Sequence, residues 1–341
     1  MNWKINVKDL KITKKQMTLW MSGILVAVIA LMIFIVKAEP PAEGISRAEA
    51  AKAMALIFED PGNLENMAAD REISAFTDKE KGNWFVKYMD YLYEKGYLDP
   101  KVTPATLISA QGNLTYEDTA YMMGKVSGDL EKQVGMTHWN RKKTFARNDW
   151  WDIYRAVVEK TDHEGSMKEI SAILFGTPSN MEHADSWTAY TTEGNFGFQG
   201  LALDAYLDNE IRFWVRGQEI AGMTQVIEDK PVYKNIWISD VEKDQFTVYI
   251  GKYLRTFTAE GRLVSQAEKK KDELKSCVAD LHMEKGKLKK VTVKKERVRG
   301  KVLAVTDNSI ELEGYGCVPL DDNFHVYRAY GDFQVLGKGS I

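Results

Sequence analysis

The hydrophobic pattern divides the chain into three textures. The first is residues 18–36, a stretch that opens on Thr18, closes on Val36 and carries no charge. As a helix rising 1.5 Å per residue it would cover roughly 28 Å, about the hydrocarbon thickness of a bilayer. Its two hydroxyl residues, Thr18 and Ser22, stand together at the entry end, so it has none of the polar stripe that a core helix keeps. The second texture has helical period. Ala50, Met54, Ile57 and Phe58 follow the start Ser46-Arg47-Ala48-Glu49; Trp84, Tyr88 and Leu92 form a stripe ending at Gly96; Ala120, Met123 and Val126 follow Thr115-Tyr116-Glu117-Asp118; and Trp150, Ile153, Tyr154, Val157 and Val158 recur at i, i+3, i+4, i+7 and i+8. From Thr161 the period shortens to two, as in Ile211 to Val215, Asn235 to Ile238, Phe246 to Ile250 and Ile310 to Glu313, with frequent glycines between.

These textures predict a multidomain chain: an N-terminal transmembrane helix, an all-α helical domain, then β-rich modules built as small barrels or a sandwich. The boundaries fall at a basic cytoplasmic arm (1–16), a signal-anchor (17–37), a linker with Pro40-Pro41 (38–44), the helical domain (45–160), a β-rich module (161–259), a connecting segment (260–275) and a second β-rich module that reads as truncated (276–341). Lys4, Lys8, Lys11, Lys14 and Lys15 precede the apolar stretch against a single Asp9. By the positive-inside rule this leaves the arm in the cytoplasm and the bulk of the chain outside.

Charge narrows the partners. The net charge is −3 and the first fifteen residues are strongly basic, so the remainder is more acidic than the whole. That balance excludes a nucleic-acid partner, whose phosphates call for a basic footprint. The five histidines are scattered and no C-x-x-C occurs, so no metal site is expected. Cys277 and Cys317 form the one candidate disulfide pair, or are two small apolar fillers. Gly194, Gly197 and Gly200 lack the G-x-G of a dinucleotide loop, and the phosphate-loop-like run 217–224 has Met223 where a lysine would neutralise phosphate. No catalytic residue and no cofactor are expected.

Two resemblances add to this reading. Ile45 to Ala51, Phe76-x-Asp78 ahead of Trp84, Tyr88, Leu92 and Gly96, and Leu114 to Asp118 with Ala120 resemble the S-layer homology repeat. The resemblance covers residues 45–126 and implies a helical module that grips cell-wall polysaccharide, with Arg47 facing an acidic sugar and Ser46, Glu49 and Trp84 shaping its surroundings. Tyr116 stands where that repeat places arginine, and a third start, Phe145-Ala146-Arg147-Asn148-Asp149, follows without a complete repeat between. Capping alone accounts for Ser46 and Glu49. The second resemblance, over residues 160–341, runs from Cys277 through Val298-Arg299-Gly300 to Val326-Tyr327 and is to the region preceding the catalytic domain in membrane-anchored proteins of the stage II sporulation protein D/LytB family of Firmicutes; that domain's own signature is absent.

The expected function is that of a membrane-anchored, extracytoplasmic envelope protein of a Gram-positive cell. It would be held by Thr18 to Val36 and associate, without catalysis, with wall polysaccharide or peptidoglycan, with sporulation as one expected setting. The alternatives are the N-terminal part of a peptidoglycan lytic transglycosylase, or a structural assembly partner for other envelope proteins.

Overall fold

In the computed structural model, which describes residues 44–70, 74–136, 146–251, 253–275, 277–294, 301–306, 309–320, 326–327 and 335–336, helices come first in the chain and strands follow. The apolar stretch 18–36 lies outside the described residues. Among those described, no helix is long and apolar enough to cross a membrane.

Helix α1 (Arg47–Phe58) begins where a capping box satisfies its first N–H groups. The Ser46 hydroxyl accepts from the Glu49 N–H, and the Glu49 carboxylate accepts from the Ser46 N–H. Helix α2 (Pro61–Ala69) starts on proline, whose missing donor costs nothing in a first turn. After α3 (Val86–Glu94) the chain turns at Gly96, whose φ of 75° favours a residue without a Cβ. Three more helices, α4 (Leu107–Gln111), α5 (Tyr116–Val126) and α6 (Leu130–Gln133), precede the long α7 (Arg147–Thr161). A second capping box, Thr115 with Asp118, opens α5.

Strands β1 (Met167–Gly176), β2 (Thr188–Thr191), β3 (Gly194–Gly197), β4 (Glu210–Arg216) and β5 (Glu219–Glu228) close a barrel in the order β1-β2-β3-β5-β4. Its ladders are antiparallel except where β3 meets β5 at Gly197 and Glu219. A second sheet runs β10-β9-β6-β7-β8, from β6 (Val232–Glu242), β7 (Gln245–Ile250), β8 (Tyr253–Thr258), β9 (Cys277–Glu284) and β10 (Lys287–Val293). In β9 the alternation is complete: Cys277, Ala279, Leu281 and Met283 are buried and their neighbours are half-exposed. Residues 260–275, which sequence leaves between helix and irregular crossing, form two short helices, α8 (Arg262–Lys269) and α9 (Lys271–Leu274). The strands on either side of them share one sheet, since β6 pairs with both β7 and β9. A small sheet of β11 (Val302–Val305), β12 (Ser309–Leu312) and β13 (Gly316–Pro319) follows. Both cysteines are free thiols, Cys277 buried and Cys317 exposed.

The expected architecture of the described residues, an all-α domain followed by separate β modules, is corrected by this structure, which is mixed α and β. Trp150, Trp151 and Tyr154 of α7 share one hydrophobic core with Met167, Trp214 and Ala221 of the barrel. The Tyr154 and Trp214 rings meet edge to face with centroids 5.7 Å apart. The physical reason is the width of the apolar surface on α7. Trp151 stands beside the stripe of Trp150, Ile153, Tyr154, Val157 and Val158, and a surface that broad is covered only when β4 and β5 close over it. Two glycines permit the approach. A Cβ on Gly222 would lie 2.1 Å from Cη2 of Trp151, and one on Gly200 would lie 2.4 Å from the Trp84 ring.

Candidate functional site

Ser46, Arg47 and Glu49 belong to one cluster, and its geometry is reciprocal. The Arg47 Nε donates to Asp118 Oδ2 at 2.7 Å, and its Nη1 donates to the Ser109 carbonyl at 3.3 Å. Asp118, 1% exposed, also accepts from the Thr115 N–H (2.9 Å), the Thr115 hydroxyl (2.6 Å) and the Thr103 hydroxyl (2.6 Å). Arg147 Nη2 donates to Glu49 Oε1 at 3.0 Å. Thus the first residue of one helix reaches the acid that completes another helix's cap: α1 to α5 through Arg47 and Asp118, and α7 to α1 through Arg147 and Glu49. An arginine at a helix N-terminus opposes the helix dipole, and the neighbouring carboxylate neutralises it. The backbone bridges Ser46 with Asn113 and Gly44 with Ala146 hold the three starts side by side. At α5 the corresponding position is Tyr116, whose hydroxyl donates to Glu131.

Trp84 lies elsewhere. Its half-buried indole is pressed against Gly200 and meets Phe85 and Tyr88 edge-on, at 5.7 and 6.4 Å between centroids. It lines an opening of about 250 Å³ together with Lys81, Asn83, Lys87, Asp90 and Gln199. None of Ser46, Arg47 and Glu49 lines this opening. Lys87 pairs with Glu65, and its ammonium stands 5.1 Å from the centroid of the Tyr88 ring. The opening is therefore polar, with ammonium and amide donors, carboxylate acceptors and one aromatic edge.

Beneath it runs a pin that sequence reasoning missed. Lys52 of α1 is fully buried. Its ammonium donates to the Gln199 carbonyl at 2.8 Å and to Glu219 Oε1 of β5 at 2.5 Å. Burial pushes Lys52 below the usual lysine range, and the Glu219 carboxylate pulls against that shift. Burial likewise raises the Tyr88 hydroxyl far above the ordinary tyrosine value. The sequence did hold a signal: Lys52 falls at i+4 from Ala48 and i−4 from Leu56, inside an otherwise apolar face. A lysine there is either paired in the core or the face is wrongly drawn.

Among the described residues no group of three or more His, Cys, Asp and Glu side chains converges as a metal site would require. No protein-family model matches the chain, and neither the curated proteins nor the solved structures give a match.

Proposed function

We propose that the chain is a membrane-tethered, extracytoplasmic envelope protein that holds wall polysaccharide or peptidoglycan without acting on it chemically. The observation that carries this reading is the opening beside Trp84, where an aromatic edge, two lysines, an asparagine and a glutamine converge on about 250 Å³. Glycans are held by this mixture, hydroxyls by planar polar side chains and C–H faces by rings. The uncharged stretch 18–36 and its lysine-rich flank support the tether and its direction. Arg47, with its guanidinium committed to Asp118 and Ser109, holds the helical starts together in this reading, and Trp84 with Lys87 meets the ligand.

Co-sedimentation with purified wall sacculi tests the proposal. The full chain is expected to pellet with sacculi, and Trp84→Phe combined with Lys81→Ala and Lys87→Ala is expected to weaken that association about tenfold, the equivalent of one or two lost polar contacts. Melting of the variant is followed in parallel to show that it is folded. Equal pelleting of the folded variant and the parent would remove the Trp84 opening from the account. Protease added to intact cells should degrade everything beyond residue 43; full protection would refute the proposed topology.

A further inference from the structure

A second cavity lies away from Trp84, between the barrel and the second sheet, and encloses about 370 Å³. Its floor is apolar, with Ile173 and Phe175 from β1 and Ile236 and Ile250 from the second sheet. Its rim is rich in acceptors, chiefly the carboxylates of Glu193 and Glu210.

Three features hold this cleft ready. The Tyr253 ring, at the start of β8, stands edge-on to Tyr190 at 4.8 Å and beside Phe175 at 5.8 Å, while its hydroxyl accepts from Asn195 Nδ2 at 2.6 Å. That bond ties the β2–β3 hairpin of the barrel to the second sheet. The hairpin turn is itself braced: the Thr191 hydroxyl accepts from the Glu193 N–H (3.2 Å) and donates to the Gly194 carbonyl (2.9 Å), and the Thr192 hydroxyl accepts from the Ile173 N–H (3.0 Å). Finally, Glu210 sits directly across the β4–β5 ladder from Glu228, a like-charge pair that disfavours the sheet. Glu228 turns to the Lys230 N–H at 2.8 Å, whereas Glu210 faces the cleft. A ligand that donates hydrogen bonds to Glu210 would offset that cost.

We infer that the cleft between the barrel and the second sheet binds a short neutral saccharide of one or two rings. Paired hydroxyls match the two oxygens of a carboxylate, the C–H face of a pyranose matches Tyr253 and the aliphatic floor, and the volume suits a ligand of that size. A polyanion is disfavoured, because Glu193 and Glu210 outnumber Lys234 among the described lining residues. This site does not depend on the Trp84 opening.

The test is a titration of the full chain, in a non-glycosidic detergent, with di-N-acetylchitobiose and with cellobiose, followed by calorimetry. At least one disaccharide should bind saturably. Glu210→Gln, which keeps the shape and removes the repulsion with Glu228, should weaken it about tenfold, the size of one charge-assisted hydrogen bond. Tyr253→Ala should weaken it comparably. The inference is overturned if neither disaccharide saturates, if Glu210→Gln binds as tightly as the parent, or if the diamine cadaverine binds more tightly than both sugars, which would make the cleft a cation site.

Discussion

Gly222→Ala is expected to destabilise the protein by about 3 kcal/mol, the upper range for forcing a methyl group into a filled core. The added Cβ would meet Trp151 at 2.1 Å from Cη2 and 2.5 Å from Cζ2, and neither side has room to yield. Trp151 is 3% exposed and packs against the ring of Tyr154 at 5.2 Å, while Gly222 faces Trp214 across the β4–β5 ladder. The second half of the prediction is the coupling. Trp151→Phe removes the outer ring that the methyl would strike, and loses no hydrogen bond, because the Trp151 Nε1 has no partner among the described residues. The double variant should therefore be less destabilised than the sum of the singles by about 1–3 kcal/mol in urea melts. Additive losses would mean that α7 does not rest on β5 as described, and would return the helices and the barrel to separate cores.

The next largest effect is expected at the buried pin, and it should be asymmetric. Glu219→Ala leaves the Lys52 ammonium in the core with the Gln199 carbonyl and the Tyr88 ring but no counter-charge, and removing one partner of a buried pair costs about 3–5 kcal/mol. Lys52→Met replaces the charge with an apolar chain of similar length, and Glu219, 18% exposed, can turn to water; this variant should lie within about 1 kcal/mol of the parent. The same pair predicts a pH signature. Because the folded-state pKa of Lys52 is depressed, its contribution to stability is complete above the ordinary lysine value of 10.5 and is lost as pH falls through the lower folded value. Tyr154 and Tyr233 act the other way. Burial raises both well above the ordinary 10.0, so their contribution is present below 10.0 and lost above it. Between the depressed value and pH 10, stability of the parent relative to Lys52→Met should therefore rise with pH. Parallel curves for the two proteins, measured by urea melts across that window, would refute the buried ammonium.

What was legible in the sequence was local. Ser46 with Glu49 announced a capping box, and both of its hydrogen bonds are present. The α7 stripe of Trp150, Ile153, Tyr154, Val157 and Val158 is buried throughout, and the alternation at Ile211, Asn235 and Phe246 marks β4, β6 and β7. What escaped depends on distant partners. Trp151 reads as a residue off the stripe until β5 supplies its cover, and closure of the barrel rests on β3 meeting β5 across residues 198–218, which no periodicity encodes. The site behaves alike. Arg47 can be read as a free cation, but its partner Asp118 lies 71 residues on. Lys52 finds Glu219 167 residues away, and the saccharide cleft exists only once two sheets meet.

The fit of Trp151 into the space above Gly222 also sets a timetable for biogenesis. At about 5–20 residues per second, the indole-bearing helix leaves the ribosome several seconds before its lid has been synthesised. During that interval Trp150, Trp151 and Tyr154 have no barrel to cover them. A nascent chain in that state leaves part of its aromatic face open to water until translation reaches the fifth strand.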